Sequence, residues 1–278
     1  MLLIRQFSTA AGFLSEAESF LKNKELENNQ VLGFARSLLS NEEEAKKASL
    51  LQVWQDESLI LCALIRNSKI HLAGTDWNED ALKLLRQKFE KNLIKPVGVS
   101  GEKSLALAFA SYYKVRSDIS RTLILHELTE LIPRPLAPGN MELVGLENLD
   151  ACADWYYEFQ LEVGNYPQRT KAILRADLIR WISGGDLYRW NSEGEMKAMA
   201  AIVRKTDTVT FIGLVYTPPL CRGQGFAGSC VQELSRQMLE KGFLRCGLFT
   251  DKVNPVSNHL YQSMGYRAQG EYKDIYFE

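Results

Sequence analysis

Apolar and polar positions give this chain two stretches with the same rhythm. The first opens with helix-like spacing over residues 13–39, broken by acidic and amide residues at Glu27, Asn28 and Asn29. A short apolar run at 51–54 follows, then a polar turn at 55–58, then an apolar run at 59–65 closed by Arg66. The second stretch repeats this layout, with helical spacing over 149–163 and 170–183, apolar residues at 187–190 and a polar turn at 191–195. An apolar run at 196–203, closed by Arg204, completes it, so that residues 62–66 align with 200–204. Two apolar runs joined by four or five polar residues predict an antiparallel hairpin in each half. The repetition predicts a duplicated domain.

Residues 132–140 hold Pro133, Pro135, Pro138 and Gly139. Proline extends neither a helix nor a sheet interior, so this segment reads as a linker. It divides the chain into domains of residues 1–137 and 138–278. Residues 1–7 read as a short strand or packed arm, lacking the apolar core and cleavage site of a signal peptide. The rest of the first half predicts a helix at 79–90, a loop at 96–101, a helix at 102–115 and an apolar stretch at 122–126. The second half predicts a strand at 211–216, a helix at 228–240, a strand at 246–250, a loop at 251–255, a helix at 256–264 and a final strand at 272–277.

Composition narrows the function classes. The 278 residues carry a net charge of −1, with neither half far from neutral, and show no electrostatic footprint for nucleic acid. No apolar run reaches membrane-spanning length. Five cysteines without a C-x-x-C pair predict reduced thiols in a cytoplasmic protein. Three scattered histidines (His71, His126 and His259) predict no metal centre.

The densest chemical signal follows the run at 211–216. Two prolines, Pro218 and Pro219, end that run, and Leu220, Cys221, Arg222, Gly223, Gln224, Gly225, Phe226, Ala227 and Gly228 lead into a helical segment. The first amides of a helix have no internal partner, and its dipole favours negative charge there. Glycines let the backbone approach an anion closely. The pattern predicts a phosphate cradle. The corresponding loop of the first half, with Asp76, Glu79 and Asp80, would repel a diphosphate.

Arg222, Gly225 and Ala227 form an R-x-x-G-x-A pattern that resembles the coenzyme A pyrophosphate loop of the GNAT N-acetyltransferase superfamily. Downstream, Asn254, Ser257, Leu260, Tyr261, Gly265 and Tyr266 are similar to the superfamily's N-x-x-S-x-x-L-Y-x-x-x-G-F/Y segment. The motif resemblance covers residues 139–278, and the layout extends it to a tandem form with a degenerate first copy. It implies an α+β (mixed α/β) fold of two domains, each a mostly antiparallel mixed sheet flanked by helices, with acetyl-coenzyme A in a wedge between splayed parallel strands. It implies diphosphate binding by the amides of Gly223, Gln224, Gly225, Phe226, Ala227 and Gly228 near Arg222, and pantetheine contacts from the main chain of Val215, Tyr216 and Thr217. Asn254 and Asn258 are expected to contact the cofactor or cap the helix. Tyr261 is expected to protonate the leaving thiolate as general acid; its ordinary alternative is packing against Phe249 or Tyr266.

The implied activity is direct acetyl transfer to a primary amine of a small molecule. The other reading is a catalytically silent coenzyme A sensor or interaction module. A nucleotide-binding loop is disfavoured, because the Lys-[Ser/Thr] of a P-loop is missing. No general base is identified: the strand over 209–216 has no acidic residue, while Glu158, Glu162, Asp251 and His259 all have ordinary readings as solvated groups. Aromatic residues over 154–162 and 166–181 would line the acceptor site. The first half is left to wall that cleft, to form a homodimer or simply to pack.

Overall fold

The computed structural model describes residues 1–164 and 168–278. In chain order the elements begin with β1 (Leu2–Phe7), α1 (Ala10–Lys22), α2 (Asn29–Ser37), α3 (Glu42–Ala45), β2 (Ser49–Gln55), β3 (Ser58–Arg66) and β4 (Lys69–Ala73). They continue with α4 (Glu79–Lys91), β5 (Gly98–Glu102), α5 (Lys103–Ala110), β6 (Arg121–Leu128), β7 (Asn140–Leu143), α6 (Leu149–Glu162) and α7 (Lys171–Ser183). The last are β8 (Leu187–Ser192), β9 (Glu195–Lys205), β10 (Val209–Tyr216), α8 (Phe226–Glu240), β11 (Arg245–Asp251), α9 (Pro255–Ser263) and β12 (Arg267–Tyr276). The short α3 aside, the order from β1 to β6 repeats from β7 to β12, as the duplicated layout predicts.

Two compact units divide the chain. One comprises residues 1–125, 251–253 and 270–278; the other comprises 126–250 and 254–269. In the first, β1, β2, β3 and β4 form an antiparallel succession, β5 adds parallel to β4, and Tyr272–Tyr276 of β12 pairs antiparallel with β5. In the second, β7, β8, β9 and β10 are antiparallel and β11 adds parallel to β10.

Both hairpins form, with turns tighter than the polar stretches suggest. Gln55 pairs with Ser58 and Ser192 with Glu195. Asp56 in one turn, and Glu193 with Gly194 in the other, take the positive φ that suits two-residue hairpin turns. The polar residues therefore continue the strands.

Along β9, Ala198, Ala200 and Ile202 pack into a core with α8 and α9, while Met199 and Ala201 pack into a core with α6 and α7. The two-residue period of a strand buried on both faces explains why residues 198–203 are apolar without a break.

Three expectations change. Residues 96–101 hold a strand, β5, where a loop was expected. Its glycines mask the apolar pattern but admit close neighbours: a Cβ on Gly98 would lie 2.3 Å from the Ile275 carbonyl oxygen. Helix α5 ends at Ala110, well before Val115, and β12 starts at Arg267, before Tyr272. The proline-rich segment is irregular but fastened to α8. Arg134 N–H donates to Gln232 Oε1 (2.9 Å), Gln232 Nε2 donates to the Arg134 carbonyl (2.9 Å), and Ala137 N–H donates to Ser229 Oγ (2.8 Å).

Candidate functional site

Strands β10 and β11 pair over Val209–Phe211 against Arg245–Gly247, and their recorded register ends there. The remaining residues of the two strands open a wedge at their carboxyl ends, where open sheets usually hold ligands. The ladder with β9 shifts between Phe211 and Ile212 and again between Gly213 and Tyr216. Leu214 takes φ +50° at this bulge, an uncommon conformation for a non-glycine residue. The bulge changes which face the strand presents. Ile212 packs toward α8, whereas Leu214 and Tyr216 pack toward α6 and α7, although all three share one parity.

After β10, a short 3-10 turn at Pro219–Cys221 leads to Gly223 (φ +76°) and Gly225 (φ +83°). Gly225 precedes the first turn of α8 and no side chain caps that end. The helix is anchored from below by Phe226, which is buried and contributes about 1.5–3 kcal/mol on that basis. Residues 222–225 are exposed, Ala227 and Gly228 are half-buried, and no side chain caps the amides of the first turn. The side chain of Arg222 folds back: its Nε donates to the Thr217 carbonyl (2.9 Å) and its Nη2 pairs with Glu162 Oε1 (2.6 Å).

The equivalent helix start of the first unit is closed. Asn78 caps α4 by accepting the Ala81 N–H at 2.9 Å, and Glu79 and Asp80 occupy its first turn. The β3–β4 ladder before it runs from Arg66↔Lys69 to Cys62↔Ala73 without a register shift.

Helix α9 is capped by Asn254, whose Oδ1 accepts the Ser257 N–H (3.1 Å). The capping role weighed for Asn254 is therefore present. Asn258 turns inward, and its Oδ1 accepts a hydrogen bond from Thr250 Oγ1. Thr250 in turn meets Nε2 of the fully buried His126 at 3.0 Å. Burial lowers the pKa of His126, with an opposing contribution from its hydrogen bond to Asn258. Tyr261 is buried in the α8–α9 core and meets Tyr266 edge-on at 5.8 Å between ring centroids. Its packing alternative is therefore real, against Tyr266. Burial, with Cys230 adding to it, pushes the Tyr261 phenol well above its ordinary pKa. Among the described residues its hydroxyl has no recorded side-chain partner, and it is not one of the fully enclosed orphan atoms. The ring is held while its oxygen stays available.

On α6, Asp150, Asp154, Glu158 and Glu162 recur every four residues, forming one stripe. Asp150 and Asp154 pair with Arg175 and Lys171 of α7. Glu162 pairs with Arg222. Glu158 accepts a hydrogen bond from the Tyr216 hydroxyl (2.6 Å). Burial and the Glu158 carboxylate raise the Tyr216 pKa, so the phenol keeps its proton and serves as donor. Trp155 packs on Tyr216 at 5.9 Å. The expected aromatic lining at 166–181 begins at Tyr166, which lies outside the described residues. Asp251 is used locally, accepting the Val253 N–H at 3.1 Å, and His259 is exposed. No cluster of three or more metal-ligating side chains occurs among the described residues, and none of their helices is long and apolar enough to cross a membrane.

Sequence reasoning named Asn258 but missed its partners His126 and Thr250. The available signal was a histidine two residues before the buried Leu128, on the same strand face.

Residues 149–266 match the model of the acetyltransferase (GNAT) family. Solved structures share the fold along nearly its whole length. An acetyltransferase of the GNAT family from Colwellia psychrerythraea is 14% identical, covers 99% of this chain and 100% of its own, and superposes with a TM-score of 0.63. A GCN5-related N-acetyltransferase from Sphaerobacter thermophilus is 14% identical, with 99% and 95% coverage and a TM-score of 0.62. A tandem GNAT protein from the clavulanic acid biosynthesis pathway is 10% identical, with 100% and 98% coverage and a TM-score of 0.56. No curated protein matches the chain.

Proposed function

We propose that this protein is an acetyl-coenzyme-A-dependent N-acetyltransferase that acetylates a primary amine of a small molecule. We further propose that residues 138–278 form the active copy and residues 1–137 a degenerate one. The observation that carries the reading is the uncapped start of α8 beside the splayed ends of β10 and β11. The exposed loop at Gly223–Gly225 and the uncapped helix start from Phe226 to Gly228 suit a diphosphate, and a Cβ at Gly223 would meet nothing within 4 Å. Val215 and Thr217 would present main-chain groups to an extended pantetheine arm, as a strand edge does to a peptide. Bound acetyl-coenzyme A would supply an activated acetyl thioester.

Tyr261 suits the acid role because its phenol is protonated and its hydroxyl is uncommitted. The Val215 amide, beside the bulge, would serve as an oxyanion donor. Glu158 is assigned to accept the proton of the amine. Tyr216, the last residue of β10, fixes the orientation of that carboxylate.

An amine panel, followed by thiol release from acetyl-coenzyme A, tests this function. Amine-dependent release supports the reading. Tight coenzyme A binding with no release against any amine would favour the silent sensor, and absence of binding would remove both.

A further inference from the structure

A buried hydrogen-bonded chain behind α9 has no part in the mechanism above. Thr250 Oγ1 carries one hydrogen and gives it to Asn258 Oδ1. Toward His126 it can therefore only accept, so Nε2 of His126 carries the ring proton. Nδ1 is then a bare acceptor, and it is enclosed without a partner. An orphaned buried acceptor is destabilising, and an aliphatic residue on this strand would avoid that cost. The chain is also directional: strand β6 grips Thr250 at the end of β11, and Thr250 grips α9 at Asn258.

Asn258 lies three residues before Tyr261, on the same helix face. His126 and Leu128 share one strand face, as do Thr250, Leu248 and Cys246. Leu128, Leu248 and Cys246 belong to the core that holds Tyr261. Tyr261 also sits in the last turn of a nine-residue helix whose other end is held by Asn254. Rotating such a helix by about ten degrees would carry a group about 6–8 Å from its axis through about 1 Å, a displacement that can cost about a hundredfold in rate.

We propose that His126 is a positioning residue for Tyr261, acting through Thr250 and Asn258 to set the rotation of α9. This inference rests on Tyr261 being the general acid.

The test is a double-mutant cycle on the full chain, using acetyl-coenzyme A and whichever panel amine releases thiol fastest. His126→Leu is expected to lower kcat about tenfold or more while the KM for acetyl-coenzyme A stays within about twofold. His126→Gln retains an amide donor near the place of Nε2 and should recover most of the loss. In a Tyr261→Phe background, His126→Leu should change kcat by less than about twofold, since a positioning residue has nothing left to position. Thr250→Val removes the bridging hydroxyl, leaving only the direct His126–Asn258 hydrogen bond, and should lower kcat in the same direction if His126→Leu does not fold.

Nitrogen NMR of the three histidines should show His126 as the Nε2–H tautomer. Unchanged kcat in folded His126→Leu or Thr250→Val, an equal loss with and without the Tyr261 hydroxyl, or an Nδ1–H tautomer would overturn the inference. Those results leave the acid assignment standing, whereas unchanged turnover in Tyr261→Phe alone removes the assignment and the inference with it.

Discussion

Gly225 occupies the position in the second unit that Asn78 occupies in the first: each immediately precedes the helix that follows the fourth strand of its repeat. Asn78 spends its side-chain oxygen on the Ala81 amide, while Gly225 offers no side chain and takes a left-handed conformation. One helix start is satisfied internally and flanked by acids. The other leaves its amides to an external anion.

Replacing Gly225 with valine tests that opening. No crowding opposes the new Cβ, whose nearest neighbour would be Ala137 Cβ at 3.7 Å. The cost comes from φ +83°, which a β-branched residue resists by about 1–3 kcal/mol. The loop should relax away from its cradle shape, and coenzyme A affinity measured by calorimetry should fall about tenfold or more. Unaltered affinity would show that the loop geometry does not matter.

Arg222 and Glu162 give a prediction of opposite signs. The pair is exposed, so it is worth no more than about 1 kcal/mol. Glu162→Gln should free Arg222 to meet a diphosphate and tighten coenzyme A binding by up to about fivefold. Arg222→Ala should weaken binding. If both substitutions move affinity in the same direction, Arg222 is a structural clasp for α6 and no more.

Tyr261→Phe separates chemistry from packing. The ring stays in its core and no hydrogen bond among the described residues is lost, so thermal stability should change by less than about 1 kcal/mol. Coenzyme A affinity should hold while turnover falls about ten- to hundredfold. A large loss of stability would mean the hydroxyl has a structural partner after all.

The first unit holds its own pH-dependent element. Asp274 is buried, and burial alone would raise its pKa, but Lys69 and Arg121 more than offset this and hold it below the ordinary carboxylate value. A carboxyl depressed on folding stabilises above its unfolded pKa of about 3.9, and the contribution is lost as pH falls through the folded value. The stability difference between wild type and Asp274→Asn should therefore be largest near neutrality and shrink as pH drops below about 4. A difference independent of pH would contradict this assignment.

Local patterns carried much of this architecture. The apolar runs flanking the polar turns before residues 59–65 and 196–203 announced the hairpins, and glycines after an apolar run announced the open helix start. Strand β5 was hidden because its glycines answer to Ile275 and Leu72, neighbours remote in the chain. The bulge at Leu214 was hidden for a different reason, since leucine gives no sign of a positive φ. Contacts such as Tyr216 with Glu158 and His126 with Thr250 join residues 58 and 124 positions apart, and periodicity cannot report them.

Backbone amide resonances, followed as coenzyme A is titrated into the isotope-labelled protein, report which helix start meets the diphosphate. The largest perturbations are expected from Gly223 to Gly228, with the amides of residues 77–82 unmoved. Perturbation centred on the α4 start, with the α8 start silent, would contradict this expectation.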